Sequence, residues 1–131
     1  LGRPQKVDRQ EIIGCVVAVE RWMGLNHEER LSKAETMTQT IIDKIKHIPE
    51  IDVAMNDNIL GVLPFGLTIT PNSKADFTVE DLVKKLKSGD PPIWTRKAFF
   101  AKEGEDYMEI HMFGLNPGEE KIVGDRIVEV L

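Results

Sequence analysis

The sequence predicts an α+β domain: a small, mostly antiparallel sheet with helices packed mainly on one face. Three observations predict it. Apolar residues recur at helical spacing from Asp8 to Ile48, the period changes to two at Ile51, and the rest of the chain reads strand, strand, helix, strand, strand, helix. At 131 residues the chain is long enough for a single core that buries about two-thirds of the surface its unfolded form would expose.

Each element has its own signal. Between Asp8 and Met23, the residues Ile12, Ile13, Val16, Val17 and Met23, widened by Cys15, Val19 and Trp22, make the stripe of a buried helical face. Asp8 with Glu11 three residues on forms a near capping box. Gly24 ends this helix and Asn26 caps a second, with Glu28 and Glu29 at its positive N-terminus. Leu31, Ala34, Met37, Ile41, Ile42, Ile45 and Ile48 repeat at helical spacing and carry the second helix to about His47, before Pro49 stops it. Ile51, Val53 and Met55 alternate as a strand, Asn56-Asp57-Asn58 supplies turn chemistry, and Val62 to Thr70 reads as a second strand with an irregular or edge start at Pro64. After the loop Pro71 to Asp76, Thr78 and Asp81 cap a short helix bearing Val79, Leu82, Val83 and Leu86, and Gly89 takes the C′ position. Asp90-Pro91-Pro92 leads into a strand from Ile93 to Lys102, which pairs through a turn at Glu103 to Asp106 with a strand from Tyr107 to Phe113. Asn116 and Pro117 open the last helix as N-cap and first residue, with Ile122, Val123, Ile127, Val130 and Leu131 on its buried face. The expected organisation is a single domain, with a helical segment over 1–48 leading into an α+β sheet layer over 49–131.

Composition excludes several classes of function. With 41% hydrophobic and 30% charged residues the chain is neither disordered nor membrane-spanning. A net charge of −5 is the wrong sign for a general phosphate-backbone binder, so an anionic ligand has to be held by a few placed cations. The single Cys15 excludes internal disulfides and fits a reducing, cytoplasmic location. The chain opens Leu1-Gly2-Arg3-Pro4 without Met, signal pattern or tag, which reads as a piece of something longer.

Most of the residues that could do chemistry have simpler explanations. Cys15 lies in an apolar stripe and is expected to be packed and inert. His27, His47 and His111 fall on separate elements, without the spacing of a metal site. Glu28-Glu29, Glu80-Asp81 and Glu119-Glu120 each sit in the first turn of a helix, where the dipole alone accounts for them. The run Gly61 to Gly66 has the outer spacing of a phosphate loop but lacks the following Lys-Ser/Thr and enters a strand. Cations remain at two places. Arg3 and Lys6 precede the first helix, close enough to its N-terminus for an anion site. Arg96 follows the rigid Pro91-Pro92 entry among Ile93, Trp94, Phe99 and Phe100. It either aims its fork of donors at a carboxylate or lies as a surface Arg with its stem over the sheet.

Longer motifs carry a resemblance. The opening Gly2-Arg3-Pro4-Gln5-Lys6-Val7 followed by Gln10 to Gly14, the segment Leu86 to Arg96 containing Gly-Asp-Pro-Pro-Ile-Trp-Thr-Arg, and the ending Leu115 to Val130 together resemble the C-terminal part of the selenocysteine synthase-like family. These are pyridoxal-phosphate enzymes of the aspartate-aminotransferase fold. The group includes L-seryl-tRNA(Sec) selenium transferase and its relative D-glucosaminate-6-phosphate ammonia-lyase. The resemblance implies the C-terminal small domain of a fold-type I pyridoxal-phosphate enzyme, a lyase or transferase, closing a substrate cleft beside its own N-terminal cofactor-binding domain. It implies a Schiff-base Lys upstream of Leu1, no complete active site within these residues, and a homo-oligomer. It gives Arg3, with Lys6 beside it, to an anionic substrate group, and Arg96 to a carboxylate. The Gly-Arg-Pro opening is closer to the lyase-like branch than to the transferase, whose equivalent stretch lacks that Pro. With the acidic charge, this favours a small sugar-acid or amino-acid substrate over a nucleic acid. The alternative is a free-standing α+β ligand-binding or oligomerisation module without catalysis.

Overall fold

The computed structural model describes residues 8–57, 65–99 and 101–131. The chain divides into two compact units, 1–30 and 31–131.

The first unit holds helix α1, Arg9–Met23, and the opening of helix α2, His27–Ile45. The capping box forms as the sequence predicts. The Asp8 carboxylate accepts from the Glu11 N–H at 2.9 Å, and the Glu11 carboxylate accepts from the Asp8 N–H at 3.2 Å. Asn26 Oδ1 accepts from the Glu29 N–H at 3.1 Å and so caps α2. The buried face expected for α1 is not found: none of its residues is buried, and Ile13 is 63% exposed. Cys15, expected to be packed, is exposed as well. Helical periodicity reports which side of a helix is apolar, and carries no information on whether a second surface is at hand to cover it.

The core lies in the second unit. Strands β1, Ile51–Asn56, β2, Gly66–Pro71, and β3, Met108–His111, form one antiparallel sheet in the order β1-β2-β3. The register puts Val53, Ile69 and Met108 side by side, and this face packs on Ile41 and Ile45 of α2, on Leu82 and Leu86 of helix α3, Val79–Lys87, and on Ile127 of helix α4, Glu119–Val130. The opposite face carries Asp52, Thr68, Glu109 and His111, the period-two alternation of a sheet covered on one side. Gly124 leaves room for the Lys44 side chain of α2: a Cβ there would stand 2.8 Å from Lys44 Cδ, and the Lys44 ammonium pairs with Asp125 beyond it.

Four boundaries depart from the sequence reading. Among the described residues of the segment Ile93 to Lys102 there is no strand; they pair with β3 through a bridge, Lys97 with Met108, and Ala98 N–H donates to the Tyr107 carbonyl at 2.9 Å. Pro91 and Pro92 have no N–H, and the N–H of Ile93 is already given to the Leu86 carbonyl at 2.9 Å, so the segment starts without ladder donors. The last strand stops at His111, where Met112–Gly114 tightens into a 3-10 turn. Helix α4 begins at Glu119 rather than Pro117, because Gly118 stands at φ +100°, a left-handed conformation that an α-helix cannot include, although Asn116 gives its N–H, at 2.7 Å, and its side-chain amide, at 3.1 Å, to the Glu119 carboxylate. α2 ends at Ile45 rather than His47, with the Ile48 N–H turning back to the Ile45 carbonyl at 3.0 Å. The first part of the strand predicted from Val62 lies outside the described residues; its remainder is β2.

Candidate functional site

The pairing that Ile93 to Lys102 fails to make leaves an opening in the second unit. A cleft of about 460 Å³ lies between the extended segment Ile93 to Phe99 on one side and Glu109 to His111 of β3 on the other, with Leu115 and Val123 also in its wall. That volume is within the range of small-molecule sites.

Two aromatic rings stand exposed at the cleft, each beside a cation. Trp94 is 75% exposed with Lys87 Nζ 4.2 Å from its ring centre, and Phe99 is 67% exposed with the Arg96 guanidinium carbon 5.5 Å from its ring centre. Of the positive groups here, Lys97 is spent: its ammonium lies 3.0 Å from the Asp106 carboxylate. Asp106 also accepts from the Val79 N–H at 3.0 Å, and that backbone bond, with Lys97 second, holds its carboxyl below the usual range. Arg96 is exposed and makes no salt bridge among the described residues.

The polar part of the opposite wall is fixed from the sheet. Asn56 Nδ2 donates to the Glu109 carboxylate at 3.2 Å and to Thr68 Oγ1 at 3.4 Å, tying β1, β2 and β3 together on the solvent face. His111 shares that face two residues on. Thr95 lines the cleft too, and its hydroxyl oxygen is buried without a hydrogen-bond partner among the described residues.

Of the cations singled out in the sequence, Arg96 is at this cleft, on an extended segment rather than a strand, while Arg3 and Lys6 lie outside the described residues. Sequence reasoning missed Thr95, Glu109 and His111. The polar alternation of Glu109 and His111 was a legible signal for a solvent-facing strand side, whereas nothing in the sequence marks which sheet face will carry an opening. Among the described residues no group of His, Cys, Asp and Glu could hold a metal ion.

A one-sided three-stranded sheet backed by helices, with a cation-bearing cleft at its open edge, defines the second unit as a small α+β domain. Among solved structures the chain is similar to D-glucosaminate-6-phosphate ammonia-lyase, with a TM-score of 0.63 and 15% sequence identity over 98% of this chain and 33% of that one. No protein-family model matches the sequence, and no curated protein does. The likeness is one of fold, and the chain spans about a third of the length of the structure it matches.

Pyridoxal phosphate, which the sequence resemblance implies, is held by a lysine amine that an apolar pocket frees of its charge. Among the described residues every lysine is exposed except the half-buried Lys44, whose ammonium is paired with Asp125. The described residues do not build that cofactor's seat.

Proposed function

We propose that this chain is the C-terminal small domain of a pyridoxal-phosphate-dependent lyase or transferase, closing one side of a substrate cleft whose cofactor is held by another part of the protein. The observation that carries this reading is Arg96, a guanidinium with no carboxylate partner among the described residues, held beside exposed aromatic rings in a cleft of a fold shared with part of an ammonia-lyase. In this role Arg96 binds a substrate carboxylate, the Trp94 and Phe99 rings exclude water around it, and His111 offers a polar contact to the rest of a sugar-acid or amino-acid substrate. Arg3 and Lys6 hold a second anionic group. The chain's own N-terminal cofactor-binding domain is the partner that covers the apolar side of α1, and the enzyme works as a cytoplasmic homo-oligomer on a small anion rather than a nucleic acid. Among the described residues no helix is long and apolar enough to cross a membrane.

The test is steady-state kinetics of the full-length gene product supplied with pyridoxal phosphate, assayed for ammonia release from D-glucosaminate 6-phosphate and from simple amino acids. Arg96→Ala is expected to raise KM by about 10- to 100-fold, the loss of one charge-assisted carboxylate contact, with the cofactor still bound. Unchanged kcat and KM remove Arg96 from the site. A protein that binds no cofactor and releases no ammonia supports the free-standing module instead.

A further inference from the structure

Outside the cleft, α4 carries a buried arginine. Arg126 is 6% exposed; one of its terminal nitrogens pairs with Glu129, and its Nε has no hydrogen-bond partner among the described residues. A buried guanidinium with an unsatisfied N–H is costly, and an apolar side chain of the same length would fill the space at lower cost. Its position explains why the charge is tolerated. The head lies against Gly89, two residues beyond the end of α3, where the carbonyl end of that helix favours a cation. A Cβ on Gly89 would overlap the guanidinium carbon and one terminal nitrogen and stand 2.9 Å from Nε. Gly89 is therefore not needed for a left-handed backbone, which it does not adopt. Its missing side chain is the space that Arg126 occupies.

The backbone between α3 and the cleft is thus held at two points, at its entry by Arg126 against Gly89 and at its exit by the Ile93 N–H on the Leu86 carbonyl. Directly beyond Ile93 the chain becomes the cleft wall, Trp94 to Arg96. We infer that Arg126 is a positioning residue, which by filling the side-chain space of Gly89 sets where Trp94 and Arg96 stand in the cleft. Its bearing on substrate rests on the reading of the cleft as a substrate site, whereas the placement of the Trp94 ring is measurable without it.

The experiment is nuclear magnetic resonance on this chain carrying Trp22→Phe, which leaves Trp94 as the one indole. The readout is the cross-relaxation between the Trp94 ring and the Lys87 side chain, 4.2 Å apart. Arg126→Met, which keeps the stem and removes the head, is expected to abolish that signal, and Gly89→Ala, which expels the head, to do the same. The double variant Gly89→Ala/Arg126→Ala is expected to restore it, the new methyl group occupying the vacated space. Ile127→Val, on the same helix and also in the core, serves as the control for general loosening and is expected to keep the signal. Retention of the signal in folded Arg126→Met overturns the inference, as does its equal loss in Ile127→Val. If Gly89→Ala does not fold, Arg126→Met and the control decide alone. In the full-length enzyme, Arg126→Met is expected to raise KM more than it lowers kcat; a lost ring signal with unchanged kinetics upholds the positioning and counts against the cleft as the site.

Discussion

At the cleft the Arg96 guanidinium lies beside the Phe99 ring, while the neighbouring Lys97 ammonium is drawn off to Asp106. Arg96 stood out because two prolines restrict its approach and aromatic residues surround it, and the structure leaves its charge without a carboxylate among the described residues. Asp106 did not stand out, since its partners are distant in sequence: Val79, whose N–H it accepts, is 27 residues away, and no local pattern encodes such a pairing. Its carboxyl is held below the usual range first by the Val79 N–H and then by Lys97. A carboxyl depressed in the folded state stabilises above its unfolded pKa of about 3.9, and the contribution is lost as pH falls through the lower folded value. Asp106→Asn is therefore expected to lower stability by about 0.5–1 kcal/mol at neutral pH, a figure discounted for its partial exposure. The difference from wild type should close as pH falls below about 4. Urea titrations stepped from pH 7 down to about pH 2 check this, and a difference that does not shrink anywhere in that range would show that the ionised carboxyl contributes nothing.

At the scale of elements, the local signals predicted helix starts well and sheet edges poorly. Both capping boxes formed where the residues stand, Asp8 with Glu11 and Thr78 with Asp81, because a cap is satisfied by atoms three residues apart. Thr78→Ala is expected to cost about 1 kcal/mol, read as a drop in thermal midpoint, whereas Thr78→Ser should be nearly neutral. The segment Ile93 to Lys102 has strand-like composition but no ladder among its described residues, since its register depends on donors that α3 and two prolines have already removed. The start of α4 falls two residues later than its N-cap signal indicates, because Gly118 takes a left-handed φ of +100° that no α-helix residue adopts. Core strands obey a simpler rule. Ile69, fully buried in the central strand, is expected to cost about 3 kcal/mol when cut to Ala. Ile13→Ala on exposed α1 should stay within about 0.5 kcal/mol in this chain, and equal losses would place α1 in the folded core.

Across the whole molecule, the α+β class and the one-sided helical layer were both legible, because the alternation on β2 and β3 and the helical stripes on α2, α3 and α4 point to one shared core. The first unit was not, since its apolar α1 face reads the same whether or not anything covers it. The proposed function accounts for that face by a cofactor-binding domain packed on it, and for the cleft by a substrate anion held at Arg96. Were α1 covered in this way, Val16→Lys would leave the 131-residue chain folded and soluble but destabilise the full-length enzyme, a contrast that thermal melts of both would read. The measurement that bears most directly on the proposed function is the absorption spectrum of the full-length gene product before and after borohydride, with this chain as control. A visible cofactor band that borohydride abolishes, present in the full-length protein and absent from the chain alone, is the predicted result. A full-length protein with no such band even after added pyridoxal phosphate would contradict it.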